Sequence, residues 1–451
     1  MMKLRLKSAY NLGRQWMNHS LVRQYGSNTA WMVSARIYWS ISGILTGILA
    51  ARVLGPDNWG IFNYALAFVG IPGLLSTLNV EPVAVRQLVK FPDKKASIMG
   101  ELFLFRLFSF LIMILTLLLA LRLTNQNIQI WNMALILALG YTGYILQPIY
   151  LYFIALILNK YIALSSIIAC TIYAIIRLTA ILLDSSLYWY AWAETGQLLT
   201  GTAALIYFYM RHDDRPFRWK FKISGALKLL KPAILLSLSG FISFIYVQTD
   251  ILMLKYMVGT KAVGYYSIGT KISEHWLAFS VILCSIFFPA IVSASQISTQ
   301  AYTKQLHRLY FLVFWLMLAL AALTILFSHP FIYLLYGREY LPAIIPLVIY
   351  ICSLPFFAIF SVFVYWTVNE GMLKTNAAAC LTGAILNIIF NLFAIPLFGT
   401  NGAALSTVAA VPLGLLVPLS FSRQGRSHLQ LLFRALFSLP SFKLGEHEIN
   451  K

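Results

Sequence analysis

Residues 40–66 read SISGILTGILAARVLGPDNWGIFNYAL, and residues 244–270 read FIYVQTDILMLKYMVGTKAVGYYSIGT. In each stretch an apolar run ends at a glycine, Gly55 or Gly259, and a second apolar run begins with a glycine and an aromatic residue. The two stretches align without a gap, which predicts two copies of one helix-turn-helix unit. Internal duplication of this kind is typical of secondary transporters.

The composition is that of a membrane protein. Of the 451 residues, 60% are hydrophobic and 11% are charged, whereas soluble domains average ~25% charged residues. A membrane-spanning helix needs roughly 20 mostly apolar residues. The sequence contains twelve such stretches, near residues 30–51, 59–80, 100–121, 130–153, 161–183, 187–210, 232–254, 264–291, 308–328, 341–367, 375–397 and 402–421. The predicted fold class is therefore an all-α polytopic membrane protein of about twelve transmembrane helices in two six-helix lobes.

The numbers of basic residues differ between the segments predicted on the two sides of the membrane. The net charge is +20, but the Lys and Arg residues are not gathered on one soluble face, so no nucleic-acid partner is predicted. If the N-terminus is cytoplasmic, roughly 25 Lys and Arg residues fall in inside segments and about 5 in outside loops. This asymmetry places both termini in the cytoplasm. Because each lobe has six spans, the predicted pseudo-two-fold axis runs along the membrane normal.

Five segments are predicted along the chain. They are a basic amphipathic segment at 1–28 that suits the headgroup layer, an N-terminal lobe at 29–210, a basic cytoplasmic linker at 211–231 that lies against anionic lipid, a C-terminal lobe at 232–421, and a cytoplasmic tail at 422–451. No outside loop is long enough for a folded domain, so no catalytic residue is predicted and the chain is not expected to be an enzyme. The four cysteines lie in predicted spans without metal-binding spacing, and no metal site is predicted.

Ionisable side chains inside the spans are candidates for function, because burial in lipid is costly without a partner or a cavity. Arg177 and Glu194 lie about equally far from the turn that joins their helices, and we interpret them as a structural ion pair. Arg106 lies only two turns into its helix and is expected to snorkel to the surface.

Four charged or titratable residues of the C-terminal lobe form the predicted cavity site. Lys271, Glu274 and His275 share one face of the eighth helix, and Asp250 can reach the level of Lys271. An Asp250–Lys271 pair that locks one hairpin is the alternative, but it leaves Glu274 and His275 unexplained. A cation, a carboxylate and a group that titrates near neutral pH suit substrate-coupled proton movement. For His275, packing against a carbonyl is the alternative.

Several motifs resemble a known family. They are RVLGPDNWG at 52–60, TDILML at 249–254 with VGYYS at 263–267, LYGREY at 335–340, and Asn387 with Asn391, Pro396, Gly399 and Gly402. In order and spacing they resemble the bacterial polysaccharide-unit (O-antigen or exopolysaccharide) flippases of the multidrug/oligosaccharidyl-lipid/polysaccharide exporter superfamily, over nearly the whole chain. The resemblance implies two lobes around a central cavity that opens alternately to each side. It also implies undecaprenyl-pyrophosphate-linked sugar units as cargo and a place in the bacterial inner membrane.

Arg36 joins the predicted cavity site through this resemblance, which implies that the first span faces the cavity. A guanidinium fork binds phosphate oxygens two at a time, so Arg36 suits a pyrophosphate-bearing cargo. The alternative is an arginine that snorkels to the inner surface.

The leading hypothesis is a flippase for lipid-linked oligosaccharide. It needs no cofactor, and coupling to a proton or sodium gradient is the expected energy source. The expected partners are the lipid-linked oligosaccharide, membrane lipids, and the polymerase and chain-length proteins of the same pathway. One alternative is a multidrug exporter of the same superfamily, which would favour acidic residues in the N-terminal lobe. The other is an integral-membrane glycan polymerase or ligase, which would normally need a long outer loop.

Overall fold

The computed structural model describes residues 20–213 and 217–437, and its regular elements are all helical. The α-helices are α1 (Ser20–Ser76), α2 (Glu81–Lys90), α3 (Lys95–Leu123), α4 (Ile128–Gly140), α5 (Gln147–Ala155), α6 (Asn159–Leu182), α7 (Tyr188–His212), α8 (Ile223–Met257), α9 (Thr260–Ile297), α10 (Thr299–Leu326), α11 (Ser328–Leu335), α12 (Ile344–Ile351), α13 (Leu354–Asn369), α14 (Leu373–Phe398), α15 (Thr400–Ser420) and α16 (Arg423–Phe437). Short 3₁₀ turns lie at Pro92–Lys94, Tyr141–Leu146 and Arg338–Ala343.

The turn glycines of the repeat divide the helices as predicted. Helix α1 has 57 residues, which at ~1.5 Å per residue is far longer than the ~30 Å hydrocarbon layer. Its backbone breaks at Gly55, where φ is 71° and ψ is 171°. Gly259 separates α8 from α9 with a similar backbone, φ 121° and ψ 176°. A side chain is unfavourable at positive φ, so both copies need glycine at this point.

The helices account for the twelve predicted spans. Eight segments of the described chain are long and apolar enough to cross a membrane, and a ninth is the bent pair Arg338–Ile351 and Leu354–Asn369. The first of the eight, Ala30–Lys90, contains two predicted spans. Helices α7 and α8, with 25 and 35 residues, coincide with the sixth and seventh predicted spans. The predicted all-α polytopic class is confirmed.

The helices form two compact units. Unit 1 comprises Met1–Val53 and Phe68–Ser237, and unit 2 comprises Leu54–Ala67 and Leu238–Lys451. The division falls inside α8, whereas the predicted division is the linker at 211–231. Helices α7 and α8 leave residues 213–222 between them, and the cytoplasmic linker at 211–231 stays a prediction.

The described part of the tail is the helix α16, which is docked through a buried histidine. His428 is 4% exposed, stacks on Trp366 with ring centroids 3.8 Å apart, and shares a hydrogen bond of 2.8 Å with the Tyr310 hydroxyl. Burial lowers the pKa of His428 from 6.5 to about 3, because the charged imidazolium would lose its hydration there. Residues 438–451 of the tail and residues 1–19 of the predicted interfacial segment at 1–28 lie outside the described residues.

Candidate functional site

The most deeply buried carboxylate described in unit 2 is that of Asp250, on α8. Its side chain is 3% exposed. No ion pair to a Lys, Arg or His side chain is found for it among the described residues. An ionised group buried without a counter-charge is costly, and such groups mark functional sites in membrane proteins.

Three other helices supply hydrogen-bond donors to this carboxylate. Thr407 of α15 donates to Oδ2 at 2.6 Å, and the Asn391 amide of α14 donates to Oδ1 at 2.6 Å. The Tyr266 hydroxyl of α9 also donates to Oδ2. Asp250 is thus surrounded by neutral polar groups from α9, α14 and α15.

A second set of contacts ties these partners together. Asn387 and Asn391 are four residues apart and lie on the same side of α14. The Asn391 amide also donates to Asn387 Oδ1 at 3.1 Å, and the Asn387 amide donates to Thr407 at 3.4 Å. Asn391 Oδ1 is buried and has no hydrogen-bond partner. An acceptor without a donor in a buried cluster is unfavourable unless another group satisfies it.

The oxygen atoms of the Asp250 centre suit the binding of a small hard cation or a proton. One carboxylate with amide and hydroxyl oxygens is the ligand type that hard cations prefer, and the unsatisfied oxygen of Asn391 adds a possible ligand. Alternatively, a proton on Asp250 would neutralise the charge directly. Within the described ranges no group of three or more His, Cys, Asp and Glu residues could hold a metal ion, so this arrangement differs from a transition-metal centre.

Asp250 forms no ion pair with the other residues of the predicted cavity cluster among the described residues. Lys271 binds Glu274 at 3.0 Å, and these two side chains are 43% and 46% exposed. Lys271 and Glu274 form an ion pair one helical turn apart. The alternative ion pair, Asp250 with Lys271, is not found among the described residues. His275 is half-buried on the same helix, α9. The predicted residues thus form an exposed Lys271–Glu274 pair and a buried Asp250 centre, and a cavity shared by them stays a prediction.

Sequence reasoning missed four members of the Asp250 centre. Tyr266, Asn387 and Asn391 lie in the motifs that carry the family resemblance, whereas Thr407 lies outside those motifs. Two asparagines at i and i+4 within an apolar run were the available signal, because a buried amide needs partners. The partners themselves come from helices distant in sequence, which the local pattern does not reveal.

In unit 1, Arg177 and Glu194 lie together, as their equal distance from the connecting turn predicts. Arg177 Nη2 is 3.6 Å from Glu194 Oε1, and the Arg177 side chain is 3% exposed. The Tyr173 hydroxyl donates to the same carboxylate oxygen at 3.1 Å. A buried guanidinium held by a carboxylate and an aromatic residue joins α6 to α7, which is the geometry of a structural ion pair.

Arg106 does not snorkel. Its side chain is 1% exposed, and Nη1 donates to the Ser76 carbonyl oxygen at 3.0 Å. Ser76 is the last residue of α1, where carbonyl groups have no partner within the helix. The guanidinium therefore satisfies a helix C-terminus inside the unit, and that interaction replaces solvent contact.

Arg36 is exposed on α1. Its guanidinium carbon lies 5.0 Å from the centre of the Trp39 ring, a cation–π contact one turn along the helix. No carboxylate lies within ion-pair distance of Arg36 among the described residues. An exposed guanidinium of this kind is available to an anionic ligand.

The helical architecture is that of membrane transporters. The chain is similar to a lipid II flippase MurJ in an inward closed conformation, with a TM-score of 0.71 and 16% identity over 90% of both chains. It is also similar to an inward-facing multidrug resistance MATE family transporter of the MOP superfamily, with a TM-score of 0.65 and 13% identity over 88% of this chain and 96% of the other. A mutant of the Vibrio cholerae MATE transporter VcmN gives a TM-score of 0.59 and 15% identity over 92% and 99% of the two chains.

The sequence comparison identifies the family. The profile of the polysaccharide biosynthesis protein family matches residues 25–295, which is more than half of the chain. The chain therefore belongs to the polysaccharide biosynthesis protein family, and the predicted resemblance is confirmed. A comparison with curated proteins found no significant match. The similar solved structures are a flippase and a multidrug resistance transporter, and they share the fold of this chain.

Proposed function

We propose that this protein is a flippase that moves undecaprenyl-pyrophosphate-linked oligosaccharide units across the bacterial inner membrane for surface polysaccharide synthesis. The observation that carries this proposal is membership of the polysaccharide biosynthesis family in a chain with the fold of a lipid II flippase. The cargo fits because an exposed Arg36 offers a guanidinium fork to phosphate oxygens. The polymerase and chain-length proteins of the same pathway would receive the translocated units.

Deletion of the gene tests the proposal directly. We expect lipid-linked units to be made in normal amounts but to remain on the inner leaflet, and surface polysaccharide to be lost. Leaflet-specific labelling of the lipid-linked units, in spheroplasts and in inverted vesicles, measures this distribution. Normal labelling from the outer side in the deletion strain would contradict the flippase proposal.

We propose that transport is coupled to a proton or sodium gradient at Asp250. The buried carboxylate, its neutral oxygen neighbours and the unsatisfied Asn391 oxygen support this site. A site that binds an ion from one side and releases it on the other can bias an alternating-access cycle, because the ion shifts the population of the two conformations. Collapsing the proton gradient and the sodium gradient separately should identify the coupling ion.

We propose a cytoplasmic location for both termini. The excess of Lys and Arg in the predicted inside segments supports this orientation. Reporter fusions at Gln126 and Arg218 should report opposite sides of the membrane, and the same side for both would contradict the topology.

Multidrug export is the second candidate function, because MATE transporters share the fold. It predicts that deletion raises sensitivity to cationic drugs and leaves surface polysaccharide intact. Drug susceptibility measured beside polysaccharide staining in one deletion strain separates the two functions.

A further inference from the structure

A polar cavity of about 430 Å³ lies in unit 1, between α2 and the first turns of α3 and α8. Its polar lining consists of Gln87, Glu101, Lys222, Ser224 and Lys228. The proposed ion-coupling site around Asp250 belongs to unit 2, whereas every lining residue of the cavity belongs to unit 1. A volume of this size is in the range of small-ligand sites.

The wall that carries the lysines is fixed in place. The Lys220 amide donates to the Ala96 carbonyl at 2.8 Å, and a Cβ at Gly100 would overlap the Lys220 carbonyl. The rings of Trp219 and Phe221 each lie 5.7 Å from the ring of Phe103. The segment before α8 is therefore packed against α3, and the cavity is preformed.

Glu101 is the one carboxylate of the polar lining, and it is already engaged. Ser97 donates to its Oε1 at 3.0 Å, and the carboxylate lies so close to Gly225 that a Cβ there would overlap it. Lys222 and Lys228 form no ion pair among the described residues. The lining thus has two lysines available to an anion, with the Ser224 hydroxyl and the Gln87 amide as further donors.

Exposed apolar side chains adjoin the two lysines in sequence, and Val83 and Leu229 contribute to the cavity lining. Phe221 and Ile223 are the chain neighbours of Lys222, Leu227 precedes Lys228, and these three side chains are 56%, 59% and 60% exposed. A soluble anion would gain nothing from such neighbours, whereas a lipid would place its headgroup among the lysines and its chains along the apolar residues.

We propose that the cavity binds the phosphate-bearing headgroup of a lipid, with Lys222 and Lys228 on the phosphate oxygens. Bilayer phospholipid and a polyprenyl pyrophosphate both carry this chemistry. The inference does not depend on the proposed function, because the site would bind a lipid phosphate whether the cargo is an oligosaccharide or a drug.

Native mass spectrometry of the full-length protein in neutral detergent tests the site, with dioleoylphosphatidylglycerol and dioleoylglycerol as probes. We expect saturable binding of the first and none of the second, which lacks phosphate. Combined Lys222→Gln and Lys228→Gln should weaken binding by roughly tenfold or more, because charge-assisted hydrogen bonds are lost. The matched control is Lys304→Gln with Lys374→Gln, two exposed lysines of unit 2, which should leave binding unchanged.

A cavity-filling variant separates a site from diffuse attraction to a basic surface. Ser224→Phe keeps both lysines but occupies the cavity, so it should also abolish saturable binding while the unfolding temperature stays near that of the parent. Parental affinity in Ser224→Phe, or equal losses in the two lysine pairs, would overturn the proposal.

A competition series identifies the source of the lipid. Tighter binding of decaprenyl pyrophosphate than of phosphatidylglycerol assigns the site to a polyprenyl lipid. The reverse order assigns it to the bilayer, and either order supports a headgroup site. Failure of both lipids to bind saturably would refute the proposed headgroup site, even if transport of the oligosaccharide were demonstrated.

Discussion

Gly60 and Gly264 occupy matching positions in the two copies of the repeat, and each lies directly against the backbone of the other copy. A Cβ at Gly60 would overlap the Thr260 carbonyl, and a Cβ at Gly264 would overlap the Pro56 carbonyl. The contact is reciprocal, since Pro56 and Thr260 are also matching residues. All of these residues belong to unit 2.

Alanine at either glycine should destabilise the protein. Because the obstructing atoms are backbone and cannot rotate away, we expect Gly60→Ala and Gly264→Ala each to cost about 1 to 3 kcal/mol. The unfolding temperature in detergent measures the loss. Gly47→Ala is the control on the same helix, α1, with open space around its Cβ. It should be neutral or stabilise by up to ~1 kcal/mol, and a similar loss in all three variants would contradict the close-contact explanation.

Asp250→Asn should abolish transport without unfolding the protein. The substitution removes a buried charge and keeps the shape, and the Thr407 and Tyr266 hydroxyls can turn to accept from the new amide. The neutral amide avoids the desolvation cost that an unpaired buried carboxylate carries. We therefore expect an equal or higher unfolding temperature together with an accumulation of inner-leaflet cargo.

An ion readout distinguishes the Asp250 site from a purely structural role. If sodium binds there, replacing KCl by NaCl at constant ionic strength should raise the unfolding temperature of the parent and not that of Asp250→Asn. Glu274→Gln, in the exposed pair with Lys271, is the matched control and should behave as the parent. Normal transport by Asp250→Asn would exclude this residue from coupling.

Transport activity should depend on both the charge and the shape of the Arg36 side chain. Lysine keeps the charge and loses the bidentate fork, whereas alanine loses both. A charge-assisted contact is worth roughly 1.5 to 3 kcal/mol, or about ten- to a hundredfold in transport at limiting cargo. Arg36→Lys should therefore be impaired and Arg36→Ala nearly inactive at equal membrane levels. A snorkelling arginine predicts full activity for both variants in complementation of a deletion strain.

Acidic pH should loosen α16. Because burial lowers the pKa of His428 to about 3, the released helix binds a proton below pH 6.5 that the docked helix does not. Docking is thus at full strength above pH 6.5 and weakens as the pH falls towards 3, by about 2 kcal/mol at pH 5. Trypsin cleavage at Arg423 and Arg426, both exposed, should accelerate between pH 7 and pH 5 after correction for the activity of trypsin itself.

His428→Phe should make this cleavage insensitive to pH over the same range. It keeps an aromatic ring for the stack on Trp366 and loses the titrating group. His329→Gln, which changes an exposed histidine stacked on Tyr333, should retain the parental pH dependence. Equal pH dependence in both variants would show that another group controls the docking of α16.

The spans and the turn glycines were predictable because both depend on local chemistry. A run of apolar residues forms a helix in lipid wherever it occurs, since the backbone groups have no other partner, and positive φ at Gly55 and Gly259 needs glycine. The pairing of Arg177 with Glu194 is predictable for the same reason. Two helices joined by a short turn are antiparallel, so residues equally far from the turn lie side by side.

The environments of Asp250 and Arg106 depend on packing and could not be predicted in the same way. Which face of α8 meets α14 and α15 is decided by contacts between segments more than a hundred residues apart. The partner of Arg106 is the carbonyl group of Ser76 at the end of α1. The sequence does not mark this helix end, because neither glycine nor proline stands at that position. A free carbonyl inside the protein was therefore not visible in the sequence.

The assignment of Leu54–Ala67 to unit 2 has a consequence for biogenesis. These residues leave the ribosome long before Thr260 and Gly264, against which they finally pack. The first pair of spans must therefore enter the bilayer while the turn at Gly55 still lacks its partners. We expect a nascent chain arrested before residue 238 to expose this turn to cysteine-directed labelling at Pro56→Cys, and the full-length protein to protect it.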